Sequence, residues 1–236
     1  MPAQAAAIKK IYAGVTSNGK PAHFGYPIGA EKIGASFTGS GAPENGWDQW
    51  LIVKPGEKSR QHLYGESFVK YFAFAKADPN YDVRSFSFDK DLPRLHEARQ
   101  LLDATNPDLS GFRSRGGKLL MYFGWADTAL PPLMGVEYYE QAMAKNGPEA
   151  RDFFRLFMVP GMFHCRGGLG PDRFDPMTAL VNWIENDTPP ATILASQVDQ
   201  GKIVRSRPLC PYPQVARHSG SGSSDEAANF TCREVK

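Results

Sequence analysis

Long apolar runs, metal-binding motifs and an excess of either charge are missing from this chain of 236 residues. No stretch approaches the roughly 20 consecutive apolar residues that a helix needs to cross a bilayer. The first residues also lack the charged and then apolar pattern of a secretory signal. The formal net charge is +2 without a basic patch, and neither an Asp-rich calcium loop nor a zinc-like spacing of Cys and His occurs. We therefore predict no metal, no cofactor, no nucleic-acid partner and no membrane span.

Two apolar segments are predicted to form the central strands of the fold. Leu119–Phe123 and Phe154–Pro160 are predicted strands, and each is followed by a loop with one ionisable residue, Asp127 after the first and His164 after the second. A helix is predicted between them, because prolines precede it and an Asn-Gly pair follows it. Strand, helix and strand in this order predict an α/β fold.

The loops at the carboxyl ends of strands are where α/β enzymes hold their catalytic groups. A serine hydroxyl needs a histidine that takes its proton, and that histidine needs a carboxylate that fixes its tautomer and stabilises the imidazolium. Asp127 and His164 follow the chain order of acid and then histidine found in α/β-hydrolases. Spacing alone leaves open the alternative that Asp127 is a turn residue and His164 a loop histidine.

The residues around these positions resemble a known family. The segments concerned are GGKLLMYFGWADTALPP, RLFMVPGMFHCRGGLGPDRFD and RPLCPYPQVARHSGSG, together with the N-terminal PAQAAAIKKIYAG and DPNYDVRSFSFDKDL. Over nearly the whole chain they are similar to the tannase and feruloyl esterase family. The resemblance implies an α/β-hydrolase fold with an inserted lid, and cleavage of esters of aromatic acids. It assigns the acid to Asp127 and the base to His164, and it makes Cys165 the cysteine that ties the histidine loop to the nucleophile loop.

The nucleophile of that family is missing from the sequence. In the family it stands in a Gly-Cys-Ser-x-Gly-Gly segment, and no such segment occurs here. Ser67 is the nearest candidate, but Gly65–Val69 lacks the second glycine that lets a nucleophile elbow turn sharply. We therefore expect the C-terminal part of an α/β-hydrolase core with part of the inserted lid, and a chain that is inactive alone. The partner would be a missing N-terminal half that holds the serine and the cysteine for Cys165.

Three cysteines support this interpretation. Cys210 and Cys232 bracket a Gly- and Ser-rich loop and match a cysteine pair in the tail of the family, so the resemblance implies a disulfide between them. An odd number of cysteines leaves Cys165 for a partner outside the chain, and the alternative is a partly buried thiol outside any disulfide. Because disulfides persist in oxidising compartments, we expect the parent protein to be secreted or periplasmic.

The resemblance also divides the chain. Residues 1–92 are predicted to be a partial lid domain, and residues 93–236 the C-terminal part of the hydrolase core with its bridged tail. The segment 47–89 is rich in aromatic residues around a predicted helix over 66–76, and aromatic rings both fill small cores and stack on flat ligands. Most of these rings are expected in the core of the lid. Those assigned to substrate binding are Trp50, Phe68, Tyr71 and Phe72.

The remaining segments predict local structure only. Their predicted elements are a helix over 2–13 with Ile8, Ile11 and Tyr12 toward the core, loops and short turns over 16–46, a helix over 91–105, a flexible glycine-rich loop over 166–171, a helix capped by Asp175, and one or two strands over 193–210.

Together these features predict a carboxylic ester hydrolase that acts on esters of phenolic acids by a Ser-His-Asp mechanism, with its serine absent from this chain. Asp127 would orient His164, and His164 would move the proton. The alternative belongs to another functional class: a non-catalytic remnant that binds aromatic ligands or serves as an interaction protein. Ligand binding without hydrolysis would favour that alternative.

Overall fold

A computed structural model of the chain describes residues 2–31 and 46–234. Helices and strands are mixed along it, and no helix in these two ranges is both long and apolar enough to cross a membrane. The helices are α1 (Pro2–Ala13), α2 (Arg60–Tyr71), α3 (Phe88–Asp91), α4 (His96–Leu102), α5 (Ser110–Arg113), α6 (Leu133–Asn146) and α7 (Pro176–Asn186). The strands are β1 (Val15–Ser17), β2 (Lys20–His23), β3 (Leu119–Gly124), β4 (Phe154–Val159), β5 (Ile193–Asp199), β6 (Lys202–Leu209), β7 (Gln214–His218) and β8 (Phe230–Glu234). Short 3-10 helices cover Val83–Ser85, Leu92–Leu95, Pro148–Asp152 and Ala227–Asn229.

The parallel pair of β3 and β4 forms the centre of the chain. The two strands are in register over their full length, and α6 connects them, as a parallel pair requires. Val136, Tyr139 and Ala142 lie at helical spacing on α6 and are buried against Phe154 and Leu156 of β4. The predicted succession of strand, helix and strand is therefore confirmed, and the loops after both strands leave the same edge of the pair.

A hairpin of β5 and β6 extends the core on the other side of β4. The two strands are antiparallel and confirm the strands predicted over 193–210. Ile193 and Leu209 are buried in one cluster with Phe157 and Val159 of β4. Both faces of β4 are thus covered, and all its residues except the partly buried Arg155 are buried.

Helix α7 begins at the predicted cap. The Asp175 carboxylate accepts hydrogen bonds from the backbone N–H of Thr178 at 2.9 Å and from its hydroxyl at 2.6 Å. Trp183 on this helix is fully buried, and its ring lies 5.4 Å from the Lys118 ammonium and 5.6 Å from the Arg155 guanidinium. These contacts anchor α7 to the residues at the start of the central strands.

The tail is cross-linked. Cys210, which follows β6, forms a disulfide with Cys232 in β8, with a Cα–Cα distance of 5.6 Å. β7 and β8 pair antiparallel, so the Gly- and Ser-rich loop becomes the connection of a hairpin. The predicted disulfide is confirmed.

Removing this disulfide by Cys210→Ser together with Cys232→Ser is expected to lower the free energy of unfolding by about 3 kcal/mol, because the cross-link removes chain entropy from the unfolded state. Urea unfolding of the oxidised protein and of the double variant measures the difference. Cys165→Ser is the matched control, since Cys165 is not part of the bridge. An equal loss in that control, or no loss in the double variant, would contradict the expectation.

The N-terminal helix has the predicted bounds but a different packing. Ile8 is 39% exposed, so its predicted position in the core is wrong. Ile11 and Tyr12 do pack against a buried cluster that contains Trp47. Among the described residues, the last turn of α1 makes this contact, and residues 2–10 are exposed.

The prediction of loops over 16–46 is incomplete, because β1 and β2 form a small antiparallel hairpin. Asn18 and Gly19 connect the strands with φ values of 50° and 74°. A type I′ turn needs positive φ at both central residues, and an Asn-Gly pair is its usual sequence signal. Asn18-Gly19 is that signal in this sequence. The loops predicted over 32–45 lie outside the described residues.

Two helices differ from their predicted positions. α2 begins well before residue 66 because Ser59 caps it, accepting a hydrogen bond from the His62 N–H at 3.2 Å. The single helix predicted over 91–105 is wrong: α3 ends, a 3-10 turn containing Pro93 follows, and α4 begins after it. Proline has no N–H to donate and its ring clashes with the preceding turn, so a continuous helix is broken there.

Candidate active site

Asp127 and His164 lie on the two loops that leave the same edge of the β3–β4 pair. The loops are hydrogen-bonded to each other, with the Ala126 N–H donating to the Met162 carbonyl at 3.0 Å. Gly124 ends β3 where this contact is tightest, and a Cβ atom there would stand 2.3 Å from the Met162 carbonyl oxygen. The glycine therefore allows the acid loop and the histidine loop to pack as one unit.

The carboxylate and the imidazole are in direct contact. Asp127 Oδ2 lies 2.8 Å from His164 Nδ1, and the exposed fractions of the two side chains are 4% and 39%. The other oxygen, Oδ1, accepts backbone hydrogen bonds from Ala129 at 2.8 Å and from Leu130 at 2.9 Å. Both oxygens of this buried carboxylate are thus satisfied, which fixes the direction in which it meets the histidine.

This contact sets what the histidine can do. An ionised carboxylate only accepts hydrogen bonds, so it favours the tautomer of His164 that carries the proton on Nδ1. Within the described residues no hydrogen bond occupies Nε2. A cavity of about 230 Å³ adjoins the pair; its lining residues are Tyr122, Phe123, Gly124, Asp127, Leu130, Met162, His164 and Cys165. The arrangement can therefore take up and return a proton at Nε2.

Gln61 connects α2 to the acid loop, and the sequence analysis missed it. Its Nε2 lies 3.0 Å from the Thr128 carbonyl oxygen, 2.6 Å from the Ala129 carbonyl oxygen and 2.8 Å from the Tyr26 hydroxyl. Burial, followed by the charge of Asp127, raises the pKa of Tyr26 to about 12. Neither residue has a periodic or motif signal, since both act through contacts between distant parts of the chain.

Gln61→Met is expected to lower the free energy of unfolding by about 1–3 kcal/mol, because it leaves two carbonyls of the acid loop without their donor while nearly keeping the side-chain length. Urea unfolding measures the loss, and the backbone amide resonances of residues 128–130 should shift. Gln141→Met, at an exposed position of α6, is the matched control. Unchanged stability together with unchanged amide resonances would refute a role for Gln61 in holding this loop.

Trp50 is the predicted substrate residue that the structure places beside the pair. Its ring meets the His164 ring edge-on, with centroids 6.2 Å apart. Tyr64 stacks on Trp50 at 6.1 Å, and the Arg60 guanidinium lies 5.2 Å from the Trp50 centroid. An aromatic surface therefore begins next to the histidine, formed by Trp50 and Tyr64.

The other predicted substrate residues lie elsewhere on α2 and just after it. Phe68, Tyr71 and Phe72 are 37%, 53% and 64% exposed, and none of them lines the cavity at Asp127 and His164. On the same helix, Val69 is buried and Tyr64 stacks on Trp50. Substrate binding by Phe68, Tyr71 and Phe72 stays a prediction.

Ser67 lies within α2 and is exposed. A nucleophile elbow is a sharp turn between a strand and a helix, and a position inside a regular helix lacks that geometry. The structure does not present Ser67 as an elbow serine.

The glycine-rich loop after His164 makes close backbone contacts, and its predicted flexibility stays a prediction. The Leu169 N–H donates to the Gly161 carbonyl at 2.8 Å, and the Gly167 N–H donates to the Asp172 carboxylate at 2.8 Å. Gly168 has a φ of 106°, and a Cβ atom on it would stand 2.0 Å from the Gly161 carbonyl oxygen. Its glycine is needed for a tight approach of two backbone segments.

Cys165 follows His164 directly, is exposed, and has a φ of 64°. The pairing predicted for it with a cysteine outside the chain stays a prediction. In the described ranges, no group of three His, Cys, Asp or Glu side chains is arranged to hold a metal ion.

Similarity to known proteins extends over almost the whole chain. A family model described as tannase and feruloyl esterase matches residues 2–233. The chain is 36% identical to a mono(2-hydroxyethyl) terephthalate hydrolase from Piscinibacter sakaiensis, over 98% of the chain and 41% of that protein. It is 31% identical to a probable feruloyl esterase from Arthroderma benhamiae, over 98% of the chain and 42% of that protein. The chain thus spans about two fifths of the length of these relatives.

Solved structures share the fold. Feruloyl esterase B from Aspergillus oryzae superposes with a TM-score of 0.81 at 21% identity, over 98% of the chain and 46% of that structure. An esterase from the same organism superposes with a TM-score of 0.77 at 24% identity, again over 98% of the chain and 46% of that structure. This likeness confirms the predicted α/β-hydrolase type of fold. Because the family model covers nearly every residue and a relative is 36% identical, the chain belongs to the tannase and feruloyl esterase family.

Proposed function

We propose that this chain supplies the acid and the base of a carboxylic ester hydrolase that uses a Ser-His-Asp mechanism. Membership of the family supports ester hydrolysis as the reaction. The observation that carries the proposal is the 2.8 Å contact between Asp127 Oδ2 and His164 Nδ1, made by a buried carboxylate and a partly exposed imidazole. This is the geometry that activates a serine hydroxyl.

The proposed reaction is acyl transfer. A serine outside these residues attacks the ester carbonyl, and His164 Nε2 takes the serine proton. Asp127 stabilises the imidazolium and stays ionised, and Nε2 then returns the proton to the leaving alcohol. Water, activated by the same histidine, hydrolyses the acyl-enzyme and releases the acid.

The proposed substrates are esters of aromatic acids. Trp50 and Tyr64 offer a flat apolar surface whose inner end meets the His164 ring at 6.2 Å. Aromatic rings favour stacked or edge-on contacts of this kind. Phe68, Tyr71 and Phe72 would extend the surface outward, since all three are exposed.

A lid made by residues 1–92 and a core made by residues 93–236 are part of the proposal. Gln61 bonds to the acid loop from the proposed lid, and Trp47 is buried in one cluster with Ala126 and Phe163 of the two loops. The lid would therefore rest directly on the catalytic loops. The disulfide at Cys210 supports an oxidising compartment, secreted or periplasmic, for the parent protein.

A second candidate function is binding of aromatic ligands without turnover. The stack of Trp50 on Tyr64 favours it, because this surface needs no serine to hold a ring. Hydrolysis of methyl ferulate, by the chain alone and by a chimera with a relative, tests the first candidate against the second. The His164→Ala variant is the control for both proteins.

A further inference from the structure

A groove of about 710 Å³ lies between the loop that follows β4 and the segment from β6 to β7. Small-molecule sites in proteins are commonly about 300–1,000 Å³. Its apolar walls include Trp125, Met158, Leu169 and Tyr212. It shares no lining residue with the cavity at Asp127 and His164, so it is a separate place on the molecule.

The charge in this groove is of one sign. Arg205 and Arg207 line it, and none of its lining residues is an Asp or a Glu. Arg205 is already paired, with its Nε 2.7 Å from the Asp225 carboxylate. Arg207 donates to the Ser206 carbonyl at 2.7 Å and lies 4.1 Å from the centroid of the Phe230 ring. In the part of the chain that the structure describes, no carboxylate pairs with Arg207.

Within the described residues, Arg207 therefore lines the groove without an ion-paired carboxylate, and the charge of Asp225, which is paired with Arg205, only partly offsets the burial of the Arg207 guanidinium. Burial, followed by the charge of Arg205, lowers the pKa of its guanidinium, because both disfavour the charged form. The contact with Phe230 holds the guanidinium plane, and most of its five N–H donors are not used by the single carbonyl contact. A planar guanidinium fork fits a carboxylate with two parallel hydrogen bonds.

We propose that this groove binds a small aromatic carboxylate, with its ring against the apolar walls and its carboxylate on Arg207. The charge of the site selects the anion, and the volume and the apolar walls select a ring attached to it. This site is distinct from the pair of Asp127 and His164. Occupancy of the groove requires no turnover and no serine, so it stands independently of the proposed ester hydrolysis.

Calorimetric titration of the whole chain with ferulate tests the proposal. Methyl ferulate is the matched probe that keeps the ring and loses the charge, and acetate keeps the charge and loses the ring. Ferulate is expected to bind and both matched probes to bind at least about 10-fold more weakly, since a charge-assisted pair and burial of a ring each contribute more than 1.4 kcal/mol. The absence of ferulate binding would overturn the proposal, as would equal binding of methyl ferulate or acetate that falls as much as ferulate binding in Arg207→Gln.

Variants of Arg207 test whether ferulate binds in this groove. Arg207→Gln is expected to weaken ferulate binding about 10- to 100-fold, with Arg207→Lys between it and the wild type, because lysine keeps the charge and loses the fork. Arg233→Gln, at an exposed position of the same tail, and His164→Ala should leave the affinity unchanged. Circular dichroism checks that each variant is folded. Loss of binding in His164→Ala would show that ferulate binds in the candidate active site instead. Equal affinity for ferulate in the wild type, Arg207→Gln and Arg207→Lys would also refute the site.

Discussion

The chain alone is expected to hydrolyse methyl ferulate and methyl gallate no faster than its His164→Ala variant. The acid and the base are in contact at 2.8 Å, but the sequence holds no Gly-Cys-Ser-x-Gly-Gly segment, and Ser67 lies within a helix. Loss of the nucleophile of a triad costs about 10⁶-fold in rate, because the histidine then has no hydroxyl to activate. The release of ferulic or gallic acid is measured by chromatography for both proteins, each assayed at high enzyme concentration.

Turnover is expected to return in a chimera. In it, this chain replaces the matching region of the mono(2-hydroxyethyl) terephthalate hydrolase from Piscinibacter sakaiensis, to which it is 36% identical. The rest of that protein would bring the serine of the family pattern next to His164. His164→Ala should then remove the activity of the chimera, because no other group takes the serine proton.

Each other outcome has a definite meaning. If the chain alone is active and His164→Ala abolishes the activity, a serine within these 236 residues does the work, and the expected absence of the nucleophile is wrong. If the folded chimera binds methyl ferulate without hydrolysing it, the second candidate function is favoured. If the His164→Ala variant of the chimera stays active, another residue is the base and the proposed mechanism is wrong.

The contact between Asp127 and His164 could be anticipated from the sequence because local sequence signals predict the position of each residue in the fold. Each residue follows a continuous apolar run, and a fully buried parallel strand has that appearance. Once β3 and β4 pair in parallel, their carboxyl ends must meet at one edge. The sequence therefore predicts that the two loops are neighbours, and the structure adds the distance.

Gln61 could not be anticipated in this way. Its bonds to Thr128 and Ala129 join residues that are 67 and 68 positions apart in the chain. A hydrogen bond from a helix side chain to a distant loop carbonyl leaves no periodic pattern, and glutamine is common on helix surfaces. Only the packing of α2 against the acid loop reveals it.

Tyr64, the aromatic neighbour of Trp50, was not anticipated, and the reason is visible in the sequence. The apolar pattern predicts a helix centred later than α2, whereas Ser59 is an N-cap signal for the observed earlier start. The start at Ser59 adds residues 60–65 to the predicted helix, and Tyr64 is one of them. Tyr64, which lies in this earlier part of α2, stacks on Trp50 with ring centroids 6.1 Å apart.

Asp127→Asn is expected to reverse the tautomer of His164 and to lower the rate of the chimera about 10⁴-fold. The asparagine carbonyl can replace Oδ1 as the acceptor for the N–H groups of Ala129 and Leu130, which lie 2.8 Å and 2.9 Å away. Its NH₂ group must then face His164 Nδ1, where Oδ2 stood at 2.8 Å. A donor at this place forces Nδ1 to accept, so the ring proton moves to Nε2. The histidine then cannot take a proton from serine.

Nitrogen-15 NMR of the His164 ring distinguishes the two tautomers in the chain alone, without any turnover. Asp127→Ala separates orientation from packing: it also removes the acceptor of two backbone N–H groups, so the free energy of unfolding should fall by about 1–3 kcal/mol for each group left buried without a partner. Asp199→Asn, at an exposed strand end, is the matched control and should change neither the tautomer nor the stability. If Asp127→Asn keeps the proton on Nδ1 and the chimera keeps its rate, Asp127 does not orient His164. A lower stability in Asp127→Ala would then show only that this carboxylate closes its own loop.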